Sequence, residues 1–376
     1  MIYLDQAATS HPKAPGVAAA VARCIEAGTC SPGRSSHHLA QEASRLLFRT
    51  REACADFLGR ASPERLVFTP NATEALNLVI QGCVPPGGTV ALSSLEHNAV
   101  MRPLRHLEAT RGVRLRVIPF DGQGRPEPAA LNQALEQRPD LMVLTTASNV
   151  TGALTPAEDL ADRCTRMGIP LCLDASQSAG HRPLPAGGQY LCFSGHKGLL
   201  GPTGTGGVHL AEGTHPWPLV LGGTGSASDL EFQPEFLPDR YEAGTPNLPG
   251  LAGLLTALQF LSGLGFEAIQ SRESGLCEDL LRGLLQLPGV ALQGPGPGTP
   301  RVPVVSITLA GRDLGEVALE LDRRDICTRV GLHCAPAAHR SLGTLASGGT
   351  LRFSLGFFTT PQDIRDTLEA MEDLLT

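Results

Sequence analysis

Short apolar runs bounded by turn residues recur along the first half of the chain, and between most of them the apolar positions repeat every three to four residues. The runs at 65–69, 89–92, 115–119, 141–145, 171–174 and 191–194 have the length of strands. Stretches at 14–27, 41–58 and 73–81 carry a helical period. This alternation predicts an α/β fold whose central sheet is mostly parallel and covered on both faces by helices, with any site at the carboxyl ends of the strands. Residues 208–240 are rich in Gly, Pro and Ser and read as irregular, with a mobile hairpin or lid at 222–226. A long apolar helix then runs from Leu248 to Leu264. Helices at 276–287, 314–323 and 361–375 and strands at 304–309 and 326–329 predict a second, smaller α+β unit.

Composition narrows the class. The chain has 376 residues, 42% hydrophobic and 18% charged, which suits an ordinary globular core. A net charge of −7 offers nothing that attracts nucleic acid. The chain enters its first strand without a basic and apolar leader, and the longest uncharged apolar stretch, 251–266, is too short to span a bilayer. A soluble, cytoplasmic protein is the expectation. Ten cysteines are scattered without a Cys-x-x-Cys pair, which speaks against a zinc site or a redox dithiol, so no metal is expected.

Lysine usage changes the picture more. Of 30 Lys and Arg residues only Lys13 and Lys197 are lysines. Arginine stays protonated, whereas a lysine in a desolvated or cationic pocket can lose its proton and condense with an aldehyde. Lys197, in Ser194-Gly195-His196-Lys197-Gly198 before a glycine-rich stretch, is the candidate for holding pyridoxal 5'-phosphate (PLP). The alternative is a surface charge beside a flexible loop. Asp174 closes an apolar run 23 residues upstream and suits the carboxylate that such a cofactor needs on its pyridine nitrogen. An Asp there also serves as a turn former or helix cap. A strand, turn and helix at 65–81 aims the backbone N–H groups of Ala72 and Thr73 forward, where a phosphate is the natural guest; a plain Asn or Thr cap is the other reading.

Several motifs occur in one order: Leu4-Asp5-Gln6-Ala7-Ala8-Thr9, Asn71-Ala72-Thr73-Glu74, Glu96-His97-Asn98, Ala147-Ser148-Asn149-Val150-Thr151-Gly152, the Asp174 and Lys197 segments, Glu242-Ala243-Gly244-Thr245-Pro246-Asn247, and Arg329-Val330-Gly331-Leu332-His333-Cys334. Together they resemble class V aminotransferase-fold enzymes, most of all the cysteine desulfurase and selenocysteine lyase branch, over essentially the whole chain. Gln6 and Ala72 depart from the family's more usual Asn and hydroxyl residue. The resemblance implies a PLP-dependent transferase of fold-type I, with a large PLP-binding domain at 14–247 and a small domain formed by 1–13 plus 248–376.

It further implies that His97 stacks on the cofactor ring and relays protons, and that Asn149 and Gln177 sit near the ring's phenolic oxygen. Ser194 and His196 would contact the phosphate. Thr245 would reach the phosphate of a neighbouring subunit, making a homodimer. Each has a blander alternative in turn formation, capping or core packing. Cys334 would be a nucleophile on a loop at the mouth of the site, taking sulfur from substrate cysteine as a persulfide and leaving alanine; the alternative is an inert loop cysteine. A free thiol has a pKa of ~8.5, so a nearby base or cation must help it, and His333 is adjacent in sequence. Arg352, alternating with Leu351 and Phe353, would clamp the substrate carboxylate, with Arg34 and Arg329 as weaker candidates. The expected function is a cysteine desulfurase acting on L-cysteine or L-selenocysteine and serving a sulfur-acceptor protein. The alternatives are a selenocysteine lyase, or a class V aminotransferase or C–S lyase of another substrate.

Overall fold

A computed structural model describes residues 1–28, 31–32, 37–227 and 229–376. Its main feature is a seven-stranded sheet ordered Leu66–Thr69, Gly206–Leu210, Tyr190–Ser194, Leu171–Asp174, Leu141–Thr145, Thr89–Ser93 and Arg114–Ile118. Five neighbouring strands, from Tyr190–Ser194 to Arg114–Ile118, run parallel, and Gly206–Leu210 is antiparallel to both its neighbours. The strands read as unbroken apolar runs because both faces are covered. Leu66, Ala91, Met142, Leu144 and Leu173 enter one core, while Val67, Val90, Leu92, Val143 and Cys172 enter the other. Successive side chains point to opposite faces, so a strand buried on both sides has no polar alternation to show.

The structure differs from the sequence expectation at four places. The stretch expected to be irregular from 208 begins inside a strand, Gly206–Leu210, whose glycines are needed for packing. A Cβ on Gly207 would lie 2.5 Å from the Val67 carbonyl oxygen, and one on Gly206 would lie 2.8 Å from the Phe193 oxygen. The expected strand at 326–329 is two strands. Ile326–Cys327 pairs in parallel with Ile2–Tyr3, and Arg329–Gly331 joins Thr350–Ser354 in a four-stranded antiparallel sheet with Val304–Leu309 and Val290–Leu292. The helix expected at 276–287 already starts at Phe266 and ends at Leu284. No hairpin forms at 222–226.

Helix Leu248–Leu264 follows the boundary drawn at 247, yet Leu251, Leu254, Ala257, Leu258 and Leu261 share a core with Ala14, Val17, Cys54 and Leu58. It therefore packs with the large sheet's helical layer. A separate core around Leu4, Leu280, Val305, Leu321, Phe353 and Met371 fills the smaller sheet and takes in the N-terminal strand. No single helix among the described residues is long and apolar enough to cross a membrane.

A buried ion pair ties the 242–247 segment to this frame. The Arg51 guanidinium donates to both Glu242 carboxylate oxygens at 2.7 and 2.8 Å, and Glu242 also accepts from the Phe68 amide at 2.7 Å. The two side chains are 4% and 15% exposed, so removing one strands a buried charge. Glu242→Ala is expected to cost about 3–5 kcal/mol in urea unfolding. A loss within the error of the extrapolation would show that the pair adds little.

Candidate active site

The parallel ladder sets three strand ends at one level. Thr145 lies opposite Asp174, and Asp174 opposite Cys192, two residues before the strand's last residue, Ser194. Beside them helix Ala72–Cys83 starts from Asn71, whose side chain accepts from the Glu74 amide at 3.0 Å. The amides of Ala72 and Thr73, in the first turn, have no intrahelical acceptor and point out of the helix end. A cleft of about 470 Å³ opens there, lined by Ala72, Thr73, His97, Asn149, Asp174 and Gln177 together with Ser194, His196 and Lys197. Nine sequence-predicted residues thus meet in one place.

Asp174 and Lys197 share the cleft because the two loops that follow their strands interlock. A Cβ on Gly180 would sit 2.1 Å from the Gly198 carbonyl oxygen, and one on Gly198 would sit 2.4 Å from that of Ala179. Only glycine permits backbone to lie on backbone this closely, and Gly180 also needs its positive φ of 94°. The Asp174 loop and the lysine loop are thereby pressed together.

Other predicted residues stand outside this lining. Arg352 is 2% exposed; its guanidinium donates to Asp5 at 2.7 Å and to the Asn149 carbonyl at 3.0 Å, while Nε has no partner. Arg329 faces it across the antiparallel ladder. Thr245 is exposed and lines a different cavity, of about 1410 Å³, next to Phe48 and Glu242. Arg34 lies outside the described residues.

Cys334 is exposed on a tight loop, with His333 and Cys334 both left-handed at φ 47° and 57°. That conformation costs a non-glycine residue on the order of 1–2 kcal/mol. The loop is held against the cleft by two bonds: the Asn98 amide donates to the Cys334 carbonyl at 2.7 Å, and Asn149 Nδ2 donates to the His333 carbonyl at 2.7 Å. The His333 ring is turned inward against Thr350 and His339. Burial, with Arg352 next, pushes its pKa down to about 2, so it supplies no positive charge to the thiol. The cations whose fields overlap Cys334 are Lys197 and Arg352.

Burial also lowers Lys197, with Asp174 opposing and Arg352 and Arg329 reinforcing the shift. His97 is pushed to about 4, first by burial and then by Lys197. Its Nδ1 accepts from the Ala99 amide at 3.0 Å, which leaves the proton of the neutral ring on Nε2. His196 is likewise held at about 4 by burial and by the two lysines, with Nδ1 and Thr9 Oγ1 3.0 Å apart.

Sequence reasoning missed three supporting residues. Ser176 donates to Asp174 Oδ1 from its amide at 2.9 Å and its hydroxyl at 2.5 Å, leaving Oδ2 for a ligand. Lys13, the other lysine, donates to the His196 carbonyl at 3.0 Å, where the Ser10 amide and the Thr9 and Ser10 hydroxyls also converge. Burial brings this amine down to about 8. Glu96 is fully buried; its Oε1 accepts from Ser93 Oγ at 2.6 Å and from the Thr145 amide at 2.8 Å. The scarcity of lysine and the Glu96-His97 adjacency were the available signals, but neither reveals a partner nearly 50 or more residues away.

Helix-end amides for a dianion, a carboxylate oxygen for a ring N–H and a desolvated amine for an aldehyde share one cleft, a donor set that fits PLP. The profile of the family described as aminotransferase class-V matches residues 2–366. A probable cysteine desulfurase of Methanothermobacter thermautotrophicus is 30% identical, over 99% of this chain and 94% of its own. The apo structure of a cysteine desulfurase from Thermococcus onnurineus NA1 is similar with a TM-score of 0.92 at 30% identity, covering 100% of this chain and 94% of that one. The cysteine desulfurase CsdA from Escherichia coli, in an S-sulfonic acid form, is similar with a TM-score of 0.88 at 26% identity, over 100% and 95% of the two chains.

Glu96 gives this site a pH signature. Burial raises its pKa from 4.5 to about 8, so the folded chain holds a proton that the unfolded chain releases. The stability this contributes is complete below about pH 4.5 and is lost as pH rises through 8. Glu96→Gln, uncharged throughout, is expected to gain on the wild type by up to roughly 1.4 kcal/mol per pH unit across that window in urea unfolding. A difference independent of pH would mean that Glu96 is ionised in the folded chain.

Proposed function

The chain belongs to the class V aminotransferase family, and from that premise we propose that it is a PLP-dependent cysteine desulfurase. It converts L-cysteine to L-alanine and retains the sulfur as a persulfide on Cys334. The observation that carries this reading is that an exposed Cys334 is tied by its loop's carbonyls to Asn98 and Asn149, at the rim of the cleft that gathers Lys197, Asp174 and His97. An aminotransferase has no use for a thiol there.

Bound PLP supplies an aldehyde for the substrate amine and a protonated pyridine that accepts the electron pair left at Cα. Asp174 Oδ2 would hold that pyridine proton, with Ser176 fixing Oδ1. The amides of Ala72 and Thr73, with Ser194 and His196, would hold the phosphate, and Asn149 and Gln177 would serve the phenolic oxygen. Lys197 Nζ, less basic through burial, would hold the cofactor's aldehyde carbon and is placed to take the substrate's Cα proton. His97 presents Nε2–H to the cleft and acts first as a donor, because its other nitrogen is occupied by the Ala99 amide. Arg352 holds the substrate carboxylate, sharing its guanidinium with Asp5, and Arg329 adds positive field. Cys334 Sγ attacks the substrate sulfur, the Cβ–S bond breaks, and protonation at Cβ and Cα releases alanine.

A homodimer accords with the apolar surface left exposed by Phe48, which lines the larger cavity, and by the 217–236 stretch. Trp217, Leu221, Phe232 and Phe236 are 74%, 69%, 86% and 51% exposed. A second copy on this face would carry Thr245 to its partner's phosphate site. A reducing cytoplasm suits a chain that works through a free thiol.

Cys334→Ala is expected to retain the visible absorbance of bound PLP, to abolish alanine release from L-cysteine and to keep part of the rate on L-selenocysteine, whose selenolate leaves more readily. Loss of both activities would make Cys334 structural or a general acid. Unchanged turnover of cysteine would overturn the desulfurase reading in favour of a C–S lyase or aminotransferase. Lys197→Ala is expected to bind the cofactor without that absorbance and to show no turnover.

A further inference from the structure

Cys334 borders a second hollow that the chemistry above does not use. A groove of about 650 Å³ runs between helix Asn98–Arg111 and the segment 336–340, with Met101 and Ala337 on its floor and Arg102, Arg105 and Arg340 around it. Groove and nucleophile share a hydrogen bond, since the Asn98 amide that lines the one donates to the Cys334 carbonyl of the other. All three arginines are exposed. Arg105 pairs with Glu108 at 2.6 Å, whereas Arg102 and Arg340 have no acidic partner among the described residues. Two cations without an acidic partner on one groove run against the sign of a chain with net charge −7.

We propose that this groove docks an acidic segment of the protein that accepts sulfur from Cys334, an inference that rests on the desulfurase reading. Arg102 and Arg105 come from one element and Arg340 from the other, so positive charge lies on both banks of an apolar floor. A polypeptide carrying acidic side chains around an apolar residue matches that pattern, while a small thiol has nothing to set on the floor. The transfer is redox-neutral. The partner's thiolate attacks the outer sulfur of the Cys334 persulfide, a new S–S bond forms, and the bond to Cys334 Sγ breaks. Cys334 departs as a thiolate and regains the proton that the partner's thiol gave up. Docking in the groove places that thiol in front of Cys334 and draws acidic partners in by a field that salt screens.

The test uses holoenzyme, L-cysteine and two synthetic peptides, each with one cysteine and one leucine, flanked by aspartates in one and by lysines in the other. Persulfide on the peptide is read by mass spectrometry, and basal turnover is read as sulfide released with dithiothreitol. At low salt the acidic peptide is expected to receive sulfur about tenfold faster, with the advantage fading at high salt. In the double variant Arg102→Glu, Arg340→Glu that preference is expected to disappear while basal turnover stays unchanged. Equal transfer to both peptides in the wild type, or a preference that survives the double variant, would overturn the proposal. An equally strong preference for mercaptosuccinate over cysteamine would reassign the groove to small anionic thiols. Absence of dithiothreitol-dependent sulfide in the wild type would overturn the desulfurase reading itself, and the docking site with it.

Discussion

Hydrogen-bond register across the parallel strands holds this molecule's chemistry in place. Because Thr145, Asp174 and Cys192 are partners in adjacent ladders, the strands bearing them end within two residues of one level, and the loops that follow leave from one edge. A slip of one residue in the strand Leu171–Asp174 would turn Asp174 from the cleft into a core. Register is strongly specified here, since apolar side chains on both faces of each strand have a core to fill. The large cores and the site are therefore consequences of the same pairing.

What the register brings together, burial then makes reactive. His97, His196 and His333 are all held below their ordinary basicity, and Glu96 is held above its own, so the neutral forms of four ionisable groups surround the cleft. The charges that remain are concentrated in Lys197, Asp174, Arg329 and Arg352. In so little solvent their mutual fields are weakly screened, and an amine among guanidiniums gives up its proton more readily than in water.

The N-terminal segment closes the site from the side of the smaller sheet. Four donors from Thr9, Ser10 and Lys13 meet at the His196 carbonyl, the peptide oxygen immediately before Lys197. Asp5 meanwhile reaches Arg352, so a stretch of nine residues touches both the candidate cofactor lysine and the candidate substrate arginine. Cys334 contrasts with this rigidity. Its loop is anchored by backbone contacts to Asn98 and Asn149, and its left-handed residues turn the thiol outward while the neighbouring imidazole is buried.

The sequence by itself determined the class of fold and most of the cleft's lining. Apolar runs and helical periods are local and survive without neighbours, and Lys197, Asp174, Thr73 and His97 lie at the ends of elements that those patterns locate. Tertiary structure decided what depends on contact across the chain. The Gly206–Leu210 strand could not be read from its glycines, since what they permit is the close approach of Val67 and Phe193. Helix Leu248–Leu264 joined the large sheet's layer because its apolar face found a core there. Lys13, Ser176 and Glu96 acquired roles through hydrogen bonds, and His333 lost the one its position suggested when its ring turned inward to Thr350. Adjacency along the chain fixes neither the direction of a side chain nor the dielectric around it, and those two properties are what turn a residue into part of a site.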